Sequence, residues 1–166
     1  MLVMGVSGTG KSSVGEALAT ALGARFIEAD AFHAPEAVDR MRLGAPLTDA
    51  DRWDWLDRVA EAAAAAPARA VIACSALKRA YRRRLERRLG PLAVVYLHGD
   101  KALVSARMSG RSGHFMPVTL VDSQFADLER PQGMGVLRVG IDRPLPEIVE
   151  AAHRFAAESA SRNGQG

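Results

Sequence analysis

Several features are scarce or absent in this chain, and each absence excludes a class of protein. Its 166 residues include a single cysteine, Cys74, which excludes an internal disulfide and indicates a reducing, cytoplasmic location. No apolar run approaches the roughly 20 residues that cross a bilayer, and the N-terminus lacks the residue order of a secretory signal. No repeat or linker divides the sequence, so we expect residues 1–166 to form one domain, with a flexible polar tail at 159–166.

Lysine is also scarce, because arginine supplies most of the positive charge. Only Lys11, Lys78 and Lys101 occur among the 22 basic residues. A lysine carries a compact ammonium in place of a planar guanidinium, so its use here marks positions with a different task. Lys11 lies in a glycine-rich stretch and Lys78 precedes an arginine-rich segment, whereas Lys101 has no motif around it and is expected at the surface.

The net charge of +3 and the pI near 9.5 favour an anionic ligand or partner. Much of the positive charge lies in "LKRAYRRRLERRLG", residues 77–90. Apart from Tyr81, this stretch has no aromatic side chain that could stack on bases. We therefore favour a solvated helix face over a nucleic-acid surface.

Short apolar segments alternate with helical patterns along the chain. Residues 1–4, 25–29, 70–74, 92–98 and 136–141 are predicted strands, and their nearly continuous apolar character is typical of a parallel sheet covered on both faces. One predicted helix ends at Gly23, and a second begins after a capping box at Thr48 and Asp51. A third begins near Lys78, and the last begins after residue 144. This alternation predicts a three-layer α/β domain.

The segment "MGVSGTGKSSVG", residues 4–15, matches the pattern G-x-x-x-x-G-K-[ST] between a predicted strand and a predicted helix. Its glycines allow backbone N–H groups to surround phosphates at a helix N-terminus. Lys11 is expected to reach the β- and γ-phosphates of ATP, and the Ser12 hydroxyl to bind Mg²⁺. The predicted nucleotide-binding residues of this segment are Gly5, Ser7, Gly8, Thr9, Gly10, Lys11, Ser12 and Ser13.

The stretch after the second strand offers groups for the phosphate acceptor. If the first two strands flank one crevice, the Asp30 carboxylate at that strand end can orient or deprotonate a hydroxyl and reach Mg²⁺ through water. A helix cap or a turn is the alternative role for Asp30. His33 either hydrogen-bonds the acceptor or packs beside it, and Arg52 either binds the acceptor or pairs with Asp49 or Asp54.

Small residues follow the third strand in "ACSALKRAYR", residues 73–82, where a ligand can approach the backbone. Lys78 and Arg82 lie one helical turn apart and can share one anion on the substrate side. P-loop proteins often carry an acidic Mg²⁺-side residue at this strand end, and its absence here disfavours a motor or switch ATPase. Cys74 is expected to be a small buried side chain.

Arg107 and Arg111 lie beside a glycine-flanked break in "ARMSGRSGHFMP". On a mobile lid, predicted at about residues 107–131, they can swing over the nucleotide and stabilise the charge of the transferred phosphate. An exposed helix end with solvated arginines is the alternative. His114 either packs within the lid or contacts the ligand.

Together these segments resemble the gluconate kinases, a family of small-molecule kinases with a phosphate loop. The similarity runs nearly end to end, and its most specific parts lie in "GAPLTDADRWDWL", "CSALKRAYR" and "GRSGHF", accompanied by "QFADLERP" and "IDRPLPEIV". The resemblance implies phosphorylation of D-gluconate by ATP with Mg²⁺, giving 6-phosphogluconate. It also implies a five-stranded parallel sheet like that of nucleoside monophosphate and shikimate kinases, a closing lid and, commonly, a homodimer.

The resemblance assigns roles position by position. Lys11 and Ser12 match the phosphate and magnesium residues, and Asp30 matches the acceptor base. Lys78 and Arg82 match the basic residues on the substrate side, and Arg107 and Arg111 match the lid arginines. The chain departs from the family at Ala29, where a glycine is usual, and at Ala37, where an asparagine is usual. Because such changes cluster where the sugar acid is expected, a related aldonate or polyol stays open as the acceptor.

Two other functions stay open from the sequence. One is a kinase of the same fold that acts on shikimate or a nucleotide. The other is a catalytically idle nucleotide-binding module that uses the arginine-rich helix for nucleic acid. Paired arginines beside a glycine break favour an enzyme, because an idle module does not need them.

Overall fold

Five strands and seven α-helices alternate along the part of the chain that this computed structural model describes, residues 1–45, 47–109 and 118–163. The strands are β1 (Leu2–Met4), β2 (Arg25–Glu28), β3 (Ala70–Ala73), β4 (Val94–His98) and β5 (Val136–Gly140). The helices are α1 (Lys11–Leu22), α2 (Pro35–Arg42), α3 (Asp49–Ala64), α4 (Arg79–Leu89), α5 (Lys101–Ser109), α6 (Val118–Asp127) and α7 (Leu145–Asn163). A short 3₁₀ helix, Ala29–Phe32, follows β2.

The strands form one parallel sheet in the order β2-β3-β1-β4-β5. This confirms the predicted five-stranded sheet, and each strand lies within its predicted segment. β3 lies between β1 and β2, since Ile72 pairs with Leu2 on one side and with Ile27 on the other. The first two strands are therefore not neighbours: the phosphate loop and Asp30 follow the strands on either side of the end of β3.

Helices cover both faces of the sheet, as continuous apolar strands require. In β1, Leu2 and Met4 pack in one core cluster with α3 and α4, where Trp55 is almost fully buried. Val3 points the other way and packs in a second cluster with α1 and α7. Each large apolar side chain buried in this way stabilises the fold by about 1.5–3 kcal/mol. The two clusters confirm the predicted three-layer arrangement.

Local signals account for most helix ends. α1 ends at Gly23, whose φ of 59° is left-handed. The predicted capping box of α3 is confirmed: the Asp51 N–H donates to Thr48 Oγ1 at 3.3 Å, and the Thr48 N–H donates to Asp51 Oδ2 at 2.8 Å. α7 extends to Asn163, so residues 159–163 of the expected flexible tail are helical, and their flexibility stays a prediction. Earlier in the helix, Phe155 packs on the core.

The sequence patterns do not predict α2, α5 or α6. α2 has one buried apolar side chain, Ala37, so no apolar stripe reveals it. α5 and α6 flank residues 110–117, and the predicted lid, residues 107–131, includes α6 but only residues 107–109 of α5. α5 and α6 matter for the site, because α5 contacts the phosphate loop at Gly8 and α6 contacts it at Ser7.

Candidate active site

The predicted nucleotide-binding segment connects the end of β1 to the first turn of α1. Gly8 and Gly10 adopt left-handed φ values of 82° and 86°. A Cβ atom on Gly8 would lie 2.6 Å from Met108 Cγ of α5, so a residue with a side chain there would have to adopt a strained φ and would force the Met108 side chain to move. The buried Thr9 hydroxyl donates to the Val6 carbonyl at 2.8 Å. The loop is therefore shaped by its own backbone and by close contact with α5.

The N-terminus of α1 opens toward this loop. Gly10 is its N-cap and, within the described residues, no side chain caps the helix and no acidic residue lies in its first turn. Lys11 begins the helix, and its Nζ donates to the Val6 carbonyl at 3.2 Å. The side chains of Ser12 and Ser13 are exposed in the same turn. The N–H groups of this turn point out of the helix end, and together with the positive end of the helix dipole they favour an anion here.

Ser7 makes a paired contact that the sequence reasoning missed. Its N–H donates to Gln124 Oε1 at 2.7 Å, and Gln124 Nε2 donates to Ser7 Oγ at 2.9 Å. Gln124 belongs to α6, which follows residues 110–117. Its segment "QFADLERP" belongs to the family resemblance, but nothing in the sequence assigned a role to this glutamine.

The 3₁₀ helix after β2 presents Asp30 at the same edge of the sheet. Trp55 Nε1 donates to the Ala29 carbonyl at 2.7 Å, and Arg58 Nε donates to the Phe32 carbonyl at 2.9 Å. These two bonds fix both ends of the 3₁₀ helix to α3. The Asp30 side chain is 70% exposed, so its carboxylate is available to a ligand.

His33 lies beneath Asp30 and is almost fully buried. Its ring stacks on Trp55 with centroids 4.2 Å apart, and its Nε2 lies 3.8 Å from Asp30 Oδ1. Burial lowers the pKa of His33, although the Asp30 carboxylate acts in the opposite direction. Its Nδ1 has no hydrogen-bond partner among the described residues. A neutral imidazole with one unsatisfied nitrogen therefore borders the carboxylate.

An ion cluster on the predicted acceptor side combines five side chains from α3, from α4 with its N-cap, and from α6: Asp49, Arg52, Lys78, Tyr81 and Asp127. Lys78 Nζ lies 3.0 Å from Asp49 and 3.7 Å from Asp127. Arg52 lies 3.5 Å and 3.9 Å from the same two carboxylates. Of the two alternatives predicted for Arg52, the structure therefore shows a pairing with Asp49.

The Tyr81 hydroxyl links the ions of this acceptor-side ion cluster. It donates to Asp49 Oδ1 at 2.5 Å and accepts from Arg52 Nη1 at 3.0 Å. The bonds from Tyr81 and Lys78 lower the pKa of Asp49, and the bond to Asp49 raises the pKa of Lys78. Two cations and two carboxylates thus neutralise one another. Sequence reasoning missed Tyr81 and Asp127, because neither belongs to a motif that indicates charge pairing.

The structure corrects the substrate-binding role predicted for Arg82. Arg82 is 7% exposed, and its guanidinium donates to the carbonyls of Ala76 at 2.9 Å, Leu77 at 2.8 Å and Glu129 at 3.0 Å. The anion site predicted to be shared by Lys78 and Arg82 is therefore not formed. Ala76 has a φ of 38°, an uncommon value for a residue other than glycine. Arg82 holds this turn in place, and the turn leads directly to Lys78.

The end of β3 separates the two sides of the site. Cys74 lies there and is fully buried, as predicted, and burial raises the pKa of its thiol to about 12. The charges of Asp30 and Lys11 also act on this thiol, with opposite signs. Asp30 follows β2 and Lys11 follows β1, so the two residues lie on either side of the β3 end.

The arginines of the predicted lid are described only in part. Arg107 lies on α5, and its Nη2 donates to the Ile141 carbonyl after β5 at 2.5 Å. This contact places Arg107 on the β4 side of the phosphate loop, away from Asp30. Arg111 and His114 lie outside the described residues.

The described residues contain neither a cluster of metal-binding side chains nor a helix that could span a membrane. Among 1–45, 47–109 and 118–163, no three His, Cys, Asp or Glu side chains come together as a metal-binding group. Over the same residues, no helix combines the length and the apolar character needed to cross a membrane.

Comparison with known proteins finds relatives over most of the chain. A family model described as an AAA domain matches residues 1–131. A gluconokinase of Gluconobacter oxydans is 44% identical over 165 residues, covering 95% of this chain and 92% of that protein. The thermosensitive gluconokinase of Escherichia coli is 39% identical over 154 residues, covering 90% and 82%. A crystal structure of a gluconokinase from Sinorhizobium meliloti has a TM-score of 0.89 and 48% identity, covering 97% and 93%.

Proposed function

The chain belongs to the gluconokinase family of P-loop kinases, and from this premise we propose that it transfers the terminal phosphate of ATP to D-gluconate. The products are ADP and 6-phosphogluconate. The observation that carries the proposal is the arrangement at the carboxyl edge of the sheet. There the phosphate loop, the turn before Lys78 and the 3₁₀ helix with Asp30 follow three neighbouring strands, β1, β3 and β2.

On the nucleotide side, the loop and the first turn of α1 bind the phosphates. Backbone N–H groups at Gly8, Gly10 and the start of α1 surround them, and the helix dipole adds a positive field. Lys11 contacts the β- and γ-phosphates and stabilises charge on the transferred group. Because phosphoryl transfer needs alignment and charge stabilisation, a loop whose backbone is already shaped lowers the barrier without rearranging.

The residues present fit Mg²⁺. Mg²⁺ is typically bound by one or two protein oxygens, several waters and the substrate phosphates. The exposed Ser12 hydroxyl and the exposed Asp30 carboxylate are such oxygens, on opposite sides of the β3 end. When bound, Mg²⁺ neutralises negative charge on the β- and γ-phosphates. Ser12 would hold the ion directly, and Asp30 through water.

Asp30 orients the attacking hydroxyl and accepts its proton. The two bonds from α3 to the 3₁₀ helix hold the carboxylate in place, so little reorganisation is needed when the acceptor binds. His33, which is buried beside it, supplies an unsatisfied Nδ1 that can bond an acceptor hydroxyl after a small movement. Neutral imidazole suits this role, because it can donate at one nitrogen and accept at the other.

The carboxylate of gluconate binds Lys78 and Arg52. Both cations lie in the acceptor-side ion cluster, and both already contact Asp49 and Asp127. An entering carboxylate therefore competes with two internal ones, while the hydroxyls of the sugar acid can donate to those freed carboxylates. Arg82 serves this site by holding the turn before Lys78, without contacting the acceptor.

The same proposal includes the larger organisation of the chain. Residues 1–166 act as one kinase domain, with residues 107–131 as its lid, and the single five-stranded sheet supports this reading. Arg107 contacts the nucleotide when the lid closes, Arg111 stabilises the transferred phosphate and His114 contacts the acceptor. A homodimer, which the family resemblance implies, belongs to the proposal as well.

Release of ADP from MgATP, measured with a panel of acceptors, tests the proposed function. The panel contains gluconate, other aldonates, shikimate, glycerate and nucleoside monophosphates. We expect gluconate to have the highest kcat/KM by a large factor. A higher kcat/KM for another aldonate would mean that the departures from the family at Ala29 and Ala37 adapt the site to that acceptor. No release of ADP with any acceptor would favour an idle nucleotide-binding module.

A further inference from the structure

The end of α6 and the residues after it contact both sides of the candidate site. Gln124 reaches the phosphate loop and Asp127, three residues later, reaches Lys78. Residues three apart lie on the same face of a helix, so one face of α6 serves both contacts. We call residues 124–129 the bridging segment.

Gln124 holds Ser7 by two hydrogen bonds of normal length, one to the backbone N–H and one to the hydroxyl. A backbone N–H in such a loop can bond either a phosphate or a protein group. Because the amide of Gln124 both donates and accepts, it matches the two groups of Ser7 at once. The contact fixes the position and direction of Ser7 while adding no charge beside the phosphates.

The far end of the bridging segment is anchored to the start of α4 through Glu129. Its carboxylate accepts from the Arg79 N–H at 2.5 Å. This bond lies at the N-terminus of α4, where the helix dipole favours a negative charge. Its own N–H donates to the Leu77 carbonyl at 3.1 Å, and its carbonyl accepts from Arg82 at 3.0 Å. Three bonds therefore tie this residue to the turn that presents Lys78.

We propose that Gln124 is a positioning residue for the phosphate loop and that Glu129 supports it by anchoring the bridging segment to α4. The segment lies at the C-terminal end of the proposed lid, residues 107–131, and is its anchored part, which keeps the phosphate loop and the acceptor-side ion cluster in a fixed relation. The inference rests on the proposed function only in that a nucleotide binds the loop. Its test therefore measures ADP binding without any acceptor, so an error about gluconate does not affect the result.

The first test compares Gln124→Met with Gln132→Met. Methionine keeps the length of glutamine and removes both bonds to Ser7, whereas Gln132 is exposed after the bridging segment and serves as the matched control. We expect Gln124→Met to raise the ADP dissociation constant about tenfold in titration calorimetry, the loss typical of two neutral hydrogen bonds. Gln132→Met should stay within twofold of the wild type. An ADP affinity of Gln124→Met within twofold of the wild type would overturn the proposal.

A second variant separates positioning from a general loss of structure. Gln124→Glu keeps the side-chain size and an acceptor for the Ser7 N–H, but it brings a negative charge to the loop. We expect it to weaken ATP more than ADP, because the repulsion grows with the charge of the ligand. Equal weakening of both nucleotides would contradict placement of Gln124 beside the phosphates.

The anchoring role of Glu129 is tested by a double-mutant cycle. Glu129→Gln weakens the bond to the Arg79 N–H and should raise the ADP dissociation constant less than Gln124→Met does. Since Glu129 acts through Gln124, the double variant should bind ADP no more weakly than Gln124→Met alone. If the two substitutions instead raised the ADP dissociation constant independently, so that their factors multiplied in the double variant, this would contradict the anchoring role of Glu129.

Discussion

The two sides of the candidate site are constructed differently. The nucleotide side is a continuous segment whose shape depends on glycine conformations and on bonds between neighbouring residues, such as that from Thr9 to Val6. The acceptor side is an ion cluster of side chains from α3, α4 and α6, with Tyr81 linking Asp49 to Arg52. In the proposed function, the nucleotide side binds its ligand through the backbone, and the acceptor side through charged side chains that neutralise one another in the free protein.

This difference indicates how each side can change during evolution. A backbone cradle tolerates few substitutions, since a side chain on Gly8 would collide with α5. An ion cluster can be altered one side chain at a time, because its backbone positions belong to stable helices. We therefore expect substitutions in the phosphate loop to abolish the chemistry and substitutions in the ion cluster to shift affinity for the acceptor.

The largest effect is expected from Lys11→Ala. Removing a preorganised cation from the transferred phosphate should lower kcat about 10³-fold in an ADP-release assay with gluconate. Lys101→Ala is the matched control, because Lys101 is an exposed lysine paired with Asp122. Its kcat should stay within twofold of the wild type. A kcat for Lys11→Ala within tenfold of the wild type would remove the contrast between the two sides.

The second-largest effect is expected from Asp30→Asn. Loss of the group that accepts the hydroxyl proton should lower kcat about 10²-fold, the lower end of the usual contribution of a general base. The affinity for ADP should remain within twofold, because Asp30 lies across the end of β3 from the phosphate loop. Undiminished turnover would leave Asp30 as a turn residue of the 3₁₀ helix.

Lys78→Ala should have a smaller effect, confined to the acceptor. We expect the KM for gluconate to rise about tenfold while the KM for ATP stays nearly constant, since a charge-assisted bond to the substrate is lost. Lys101→Ala again provides the control. An unchanged KM for gluconate would mean that the carboxylate of gluconate does not bind at the ion cluster.

The smallest effect concerns stability at the start of α3. Hydrogen bonds from Thr48, and then from Arg40, lower the pKa of Asp51 from 3.8 to about 2. The ionised carboxylate stabilises the fold above the unfolded pKa, and this contribution is lost as the pH falls through the folded value. The melting temperature of Asp51→Asn should therefore lie below that of the wild type at pH 6, with a smaller difference at pH 3. An equal difference at both pH values would contradict this assignment.

Sequence reasoning succeeded where the determinants are local. The phosphate-loop motif, the capping box at Thr48 and the five apolar strands are each specified by residues close together in the chain. It did not find the contact between Ser7 and Gln124, whose partners are 117 residues apart. It also assigned Arg82 to the substrate, because a spacing of four residues does not show that the guanidinium is buried against three carbonyls.

In the proposed function, phosphate passes from the loop at β1 to a primary hydroxyl held at Asp30. Phosphorus NMR of a reaction with MgATP and gluconate tests it most directly. We predict a phosphate monoester signal split into a triplet by the two protons of a methylene group, as in 6-phosphogluconate. Inorganic phosphate alone, or a monoester coupled to a single proton, would contradict the account, because the phosphate would then have gone to water or to a secondary hydroxyl.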